Sequence, residues 1–364
     1  MSRYNKPLFV TAGLLALGCS ATLGGTPQRA NVNEPTGESL KQQTTLRLTA
    51  QLMKSGLSPK DIPQELPNDV KQLILCTFDR DPVMRGEAAT KIGAMSEKNE
   101  LAIPFLLRLL DDSGLVRAEV YTYETKDINV EDIAIDALTR IGNAAVAPCI
   151  ETVKRPEEFW LFHAMHVLSN IKDSRAVDVL VQAIKHANPK ISFRAIDAVQ
   201  GRYRSEKPWN DPKFLPHLIA ALQNQDTTVQ HSATCALGNY SDAIATDALL
   251  DVLNQGKGKG TLVRQYAIKS LAKQKDPRII PTLLKTFRDE TEHEYVRAQS
   301  AESMGSLADA KTLDDLLSFC QNAANPHRVR MNAIMGLSAS KDRRFVEPLK
   351  ALAKDDEGVS IHAL

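Results

Sequence analysis

Eight times along this chain a large apolar residue is followed four positions later by a small one, and four positions after that by a second apolar one. With the first residue of each set as position 0, the starts are Met84, Val130, Trp160, Ile191, Val229, Val263, Val296 and Val329. The small residues are Ala88, Ala134, Ala164, Ala195, Ala233, Ala267, Ser300 and Ala333. The closing residues are Ile92, Leu138, Leu168, Val199, Leu237, Leu271, Met304 and Leu337. Offsets of 0, 4 and 8 fall on one face of an α-helix, and a small residue in the middle lets a neighbouring helix come close. Successive starts lie 46, 30, 31, 38, 34, 33 and 33 residues apart. A pattern held in phase at that period belongs to a solenoid, which grows by stacking units on one continuous core. A chain of 364 residues therefore need not divide into two or three compact domains.

Each unit carries its own punctuation. Thirteen residues after position 0 stands Asn143, Asp173, Asp242, Asp276, Asp309 or Asp342. Such residues cap helix starts by accepting bonds from free backbone N–H groups, at about 1 kcal/mol each. A second apolar run follows, as in Val177–Ile184. Asp81, Asn188 and Asp226 stand three before position 0 and predict caps for the first helix, with Pro82 and Pro189 in first-turn positions. Every unit thus reads as helix A, turn, helix B, turn. Aromatic residues make up only 5% of the chain, which suits packing by Ala and Leu better than a sandwich of strands.

The units resemble HEAT-like repeats of the phycobilisome lyase type. The features that carry the likeness are Val263-Arg264, Val296-Arg297 and Val329-Arg330 opening helix A, Leu237-Gly238 closing it, and Asp276-Pro277-Arg278. The resemblance covers residues 79–364 and implies an all-α fold, a right-handed α-solenoid of about eight to nine helix pairs. It implies little about activity, because such repeats occur in lyases, in adaptors and in proteins of no known role. Residues 37–78 are expected to form a capping helix pair ahead of the repeats.

The first residues read as an address rather than as fold. Arg3 and Lys6 precede an apolar run from Pro7 to Leu17, too short to span a bilayer and suited to a signal peptide. The run ends in Ala16-Leu17-Gly18-Cys19, which resembles the lipobox of bacterial lipoproteins. On that resemblance residues 1–18 are removed, Cys19 is lipidated, and residues 19–36 form a flexible tether. Ala16 and Leu17 depart from the usual lipobox order, so simple secretion with cleavage near Ala21 or Gly25 is the alternative. Ser20 after the cysteine implies, by the sorting rule of such lipoproteins, a place on the outer membrane facing the periplasm.

The chain holds no arrangement that demands catalysis. It lacks the GxSxG, P-loop, HExxH and dinucleotide patterns. Deoxyhypusine hydroxylase, a related HEAT-like enzyme, holds iron through repeated His-Glu pairs, and here His293-Glu294 is the one such pair. His163 and His166 share a helix face and have the spacing of a Zn²⁺ or Cu²⁺ pair, or of a contact between repeats. Gly256-Lys-Gly-Lys-Gly260 lacks Walker spacing and reads as a connector. Arg85, Arg264, Arg297 and Arg330 share position +1, where a ladder of bonds between units is the structural reading and a ligand-binding row the functional one. Cys76, Cys149, Cys235 and Cys320 are far apart and read as free core thiols. No metal or cofactor is implied. Lys and Arg number 45 against 44 Asp and Glu, so no basic excess points to nucleic acid.

Two long connections remain as places for a partner. Residues 113–129 lengthen a B-to-A turn and hold Tyr121 and Tyr123 in what reads as a short extended flap. Residues 201–213 lengthen an A-to-B turn and gather Arg202, Tyr203, Arg204, Lys207 and Trp209. Long loops on a rigid scaffold carry function, and Arg, Tyr and Trp are favoured anchors. The expected function is an envelope-anchored scaffold that binds a protein through the groove lined by B helices and these loops. The alternative is lyase-like or chaperone-like handling of a tetrapyrrole.

Overall fold

The computed structural model describes residues 37–95, 100–119, 125–154, 161–201, 207–274 and 276–355. Two helices come first, α1 (Gly37–Ser55) and α2 (Asn68–Cys76). Eight A/B pairs follow. They are α3 (Pro82–Ala94) with α4 (Ile103–Arg108), α5 (Val130–Ile141) with α6 (Asn143–Val153), α7 (Leu161–Ile171) with α8 (Val177–Ile184), and α9 (Pro189–Gln200) with α10 (Leu215–Ala221). The rest are α11 (Thr227–Leu237) with α12 (Ala243–Asn254), α13 (Thr261–Ala272) with α14 (Ile279–Arg288), α15 (Glu294–Met304) with α16 (Ala310–Gln321), and α17 (His327–Ala339) with α18 (Val346–Asp355). The A helices, odd-numbered from α3, pack each on the next in one layer, and the B helices from α4 to α14 do the same in a second. Among the described residues the single sheet is the hairpin of β1 (Leu115–Glu119) and β2 (Thr125–Asn129), paired antiparallel from Leu115↔Asn129 to Glu119↔Thr125. It forms the extended flap expected in the 113–129 connection.

The repeat pattern is the core. All eight residues at +4 and all eight at +8 are buried, as is position 0 in α5, α9, α11, α13, α15 and α17. Trp160 lies outside the described residues. Met84 departs from the pattern and is 40% exposed. In that first unit β1 lays Val116 over Gly86, and this contact takes the place of position 0. Small residues near the A-helix ends set how closely the layer packs. A Cβ added to Gly305 would sit 1.8 Å from the Gly336 carbonyl oxygen, so α15 and α17 touch backbone to backbone.

The predicted caps form at eight of nine positions. Asp81, Asn188 and Asp226 accept from the backbone N–H two residues on at the A helices. Asp173, Asp242, Asp276, Asp309 and Asp342 cap the second helices. Backbone N–H bonds hold the Asp226 and Asp309 carboxyls below the usual range. Asn143 does not cap; Gly142, at φ +71°, makes that turn, and Asn143 accepts from Arg175 of the next unit instead. The unit with the 201–213 insertion has its cap at Asp211, which accepts from the Lys213 N–H at 2.9 Å.

Two ladders fix the register. Along the B-to-A edge, the four arginines at +1 make the bonds of the structural reading. Arg85 is bidentate to Asp112 (2.5 and 2.7 Å) and Arg264 pairs with Glu292. Arg297 donates to the Phe287 carbonyl (3.0 Å) and Arg330 to the Cys320 carbonyl (2.9 Å). Along the A-to-B edge, Arg278 and Arg344 bind their own capping aspartate and also reach back to Asp247 (2.6 Å) and Asp314 (3.3 Å) one B helix earlier.

The first two helices do not stack as one more repeat. α2 joins the A layer against α3, while α1 lies across α4 and α6 in the B layer. Leu48, Thr45 and Thr49 are its buried contacts, and the Thr45 hydroxyl donates to the Glu100 carbonyl at 3.2 Å.

Candidate functional site

The foot of the 201–213 loop is tied to three units. The Trp209 N–H donates to the Val199 carbonyl of its own helix A (2.8 Å), and its indole meets Phe214 edge-on at 5.3 Å. Toward the preceding unit, the Lys172 ammonium donates to the carbonyls of Lys207 and Pro208, both at 3.0 Å. Lys172 reaches them from a left-handed backbone, φ +58°, a conformation that costs a non-glycine residue roughly 1–2 kcal/mol. Toward the following unit, the Asn210 amide donates to the Asn239 carbonyl (2.7 Å) and the Tyr240 hydroxyl to that of Asp211 (3.1 Å). Burial pushes the Tyr240 hydroxyl above its ordinary range, so it keeps its proton.

Trp209 is 9% exposed. This corrects its place among the contact residues. The ring fills the gap that the insertion opens between α9 and α10, and it anchors the loop rather than facing a partner. Lys207 is exposed. Arg202, Tyr203, Arg204, Tyr121, Tyr123 and Cys19 lie outside the described residues.

The two insertions flank one cleft. A hollow of about 600 Å³ opens on the A-helix layer across α3, α5 and α7. Ile128 of β2 bounds one side and Lys207 the other, over a floor that includes Ile133 and Ile135. Asp132, Asp136 and Asn170 supply polar groups at the rim. The Thr139 side chain also lines the cleft, and its hydroxyl is buried with no hydrogen-bond partner. Residues near 113–129 and near 201–213 are about 80 positions apart in sequence, yet the stack sets them two units apart on one face. Of the B-helix layer, expected to line the binding groove, the first two helices, α4 and α6, are covered by α1.

The remaining sequence candidates are engaged in the fold. His163 Nδ1 lies 2.6 Å from the Leu110 carbonyl oxygen. His166 is 1% exposed, with Nε2 4.0 Å from Asp197. Burial above all, with His163 and Arg194 beside it, lowers the His166 imidazole to about 3, so the ring is neutral. The two histidines turn to different partners and do not converge. His293 caps α15 by accepting the Tyr295 N–H, and Glu294 pairs with Arg328 at 3.4 Å. In the Gly/Lys connector, the Lys259 ammonium turns inward to the Leu222 carbonyl (2.7 Å) at the end of α10, so it serves the fold and not a phosphate. Burial raises the Cys320 thiol to about 12, and Cys149 is raised further by the same cause. One structural residue escaped the sequence reading. Gln274 is buried, accepts from the Thr246 hydroxyl (2.7 Å) and donates to the carbonyls of Leu237 (3.2 Å) and Tyr240 (3.0 Å). No spacing rule marks a lone glutamine in a turn.

Comparison with known proteins agrees with this architecture. The family described as HEAT repeats matches residues 259–326 and 289–363, and the Armadillo/beta-catenin-like repeat matches residues 210–242. An uncharacterized phycocyanin operon protein Z of Pseudanabaena tenuis is 23% identical over 189 residues, covering 50% of this chain and 87% of the relative. The chain carries HEAT-like repeats, similar to those of the phycobilisome lyase type. Solved structures similar to this HEAT-like protein include human deoxyhypusine hydroxylase with glycerol, at 15% identity and a TM-score of 0.32 over 85% of this chain and 99% of that one. A chain in the structure of Kap95p with RanGDP is similar at 14% identity and a TM-score of 0.49, over 90% of this chain and 50% of that one. HEAT repeats are scaffolds for protein interaction. Among the described residues no helix is long and apolar enough to cross a membrane.

Proposed function

We propose that this HEAT-like protein is a non-enzymatic, envelope-anchored scaffold, lipidated at Cys19, that binds a protein partner. The reading places the partner at the A-layer cleft and the loops on either side of it, with Lys207, Arg202, Tyr203, Arg204, Tyr121 and Tyr123 as contacts. One observation carries it: two insertions distant in sequence border the same cleft, and one of them is bonded down at its foot by Lys172, Trp209 and Asn210. A bonded foot limits the ordering cost of binding and so favours affinity.

Photocrosslinking in intact envelopes tests the reading. A benzophenone side chain at position 207 or 136 should capture a defined protein, and one at position 285, on α14, should not. Identical adduct patterns at all three positions would rule the cleft out. Cys19→Ala should abolish fatty-acid labelling and release the chain from membranes; unchanged labelling refutes the anchor.

The likeness to a phycocyanin operon protein favours a second reading, the handling of a tetrapyrrole. Incubation with a bilin should then shift its visible absorption, and an unshifted spectrum at saturating protein excludes it.

A further inference from the structure

Helix α11 carries a thiol and an imidazole one turn apart. Cys235 Sγ lies 3.6 Å from His231 Nε2. Tyr266 of α13 meets the imidazole edge-on, ring centroids 4.1 Å apart, and the Lys269 ammonium sits 5.4 Å from the Tyr266 ring. The pair therefore lies between two adjacent A helices, α11 and α13.

Its place in the repeat separates Cys235 from the other thiols. Cys235 occupies +6 of its unit, where the other units have Thr90, Asp136, His166, Asp197, Lys269, Glu302 and Met335. That row is mainly polar, and Thr90, Asp136, Lys269 and Met335 are exposed. A thiol there stands beside, and not on, the buried stripe formed by positions 0, +4 and +8. Cys235 keeps 7% exposure, whereas Cys149 and Cys320 keep none. Cys76 is more exposed than Cys235, and no imidazole contact accompanies it among those described. The expectation of a buried free cysteine thus holds for Cys149, Cys235 and Cys320 and fails for the half-buried Cys76, and of the three buried thiols Cys235 alone keeps some exposure.

We propose that Cys235 is a nucleophilic thiol with His231 as its base, a modification site for soft carbon electrophiles such as activated alkenes. A nucleophile in hydrogen-bond reach of an oriented base is the arrangement that activates a thiol. His231 Nε2 takes the thiol proton as Sγ bonds to the β-carbon of the alkene. The alkene π pair moves to the α-carbon, which then takes up a proton. The addition consumes no oxidant or reductant.

The test treats the full chain with limiting N-ethylmaleimide at pH 7 and follows each cysteine peptide by mass spectrometry. Cys235 is expected to label first, on the order of tenfold faster than the more exposed Cys76, with Cys149 and Cys320 last. His231→Gln should slow Cys235 by about tenfold and leave the Cys76 rate unchanged, which also reports that the fold is intact. Faster labelling of Cys76 in the unaltered chain overturns the proposal without recourse to any variant. An unchanged Cys235 rate in a folded His231→Gln chain overturns the role of the base.

Discussion

Among the described glycines, Gly305→Ala should be the most costly substitution. An ideal Cβ at Gly305 would lie 1.8 Å from the Gly336 carbonyl oxygen and 2.2 Å from its carbon. Both atoms are backbone, so no rotamer change relieves the clash. Overpacking in cores costs typically about 1–3 kcal/mol when side chains can shift, and here α15 and α17 must part along their length, so the upper end applies. A loss of about 3 kcal/mol raises the opening equilibrium by roughly two orders of magnitude. In a solenoid each unit leans only on its neighbours, so the damage should be local. Hydrogen exchange should show faster opening of α15 to α18 and unchanged protection in α3 to α8. Gly260→Ala supplies the control. A Cβ there meets nothing within 4 Å and the backbone is not left-handed, so stability should hold or rise by about 0.4–1 kcal/mol. Equal exchange in the two variants, or uniform loss of protection along the whole chain, would refute the reasoning.

Three further outcomes follow from the same geometry. Gln274→Ala removes three buried bonds linking α11, α12 and the turn after α13, and should lower the urea midpoint by an amount equivalent to about 2–3 kcal/mol; a midpoint within error of the parent would show those bonds to be idle. Trp209→Ala should cost about 3–5 kcal/mol and expose residues 207–210 to protease, since the ring anchors the loop. An unchanged cleavage pattern would contradict that anchoring. His166 must stay neutral to remain buried, and its folded value of about 3 lies below the usual 6.5. Between those values the unfolded chain binds the extra proton, so stability is full above 6.5 and falls toward 3, by at most roughly 1.4 kcal/mol per pH unit. His166→Asn should flatten that part of the stability profile, and an unaltered slope would exclude His166 as its source.

The fold was legible because its rule is local. Spacings of 4 and 8 put Ala267 and Leu271 on the buried face whatever lies far away, and Asp276 caps its helix through bonds within two residues. The structural reading of the Arg row rested on the same regularity, since position +1 in these four units meets the end of a B helix or the turn after it. What resisted was long-range. Nothing in the sequence places Ile128 and Lys207 across one cleft, because that depends on how two insertions project from units two apart. Trp209 read as a contact because Trp serves surfaces and cores alike, and only the gap left by an insertion decides between them. α1 read as half of a capping pair, since its modest apolar content does not say which layer it joins. Asn143 failed as a cap because Gly142 beside it already made the turn.

Small-angle X-ray scattering of the intact chain tests the central claim most directly, that paired helices from Gly37 to Asp355 form one continuous two-layer stack. Eight helix pairs spaced about 8–10 Å apart, with α2 ahead of them in the A layer, give a body on the order of 80 Å long. The predicted result is a skewed pair-distance distribution with a long tail and a radius of gyration well above the roughly 21 Å of a compact domain of this length. A symmetric distribution with a radius near that compact value would contradict it.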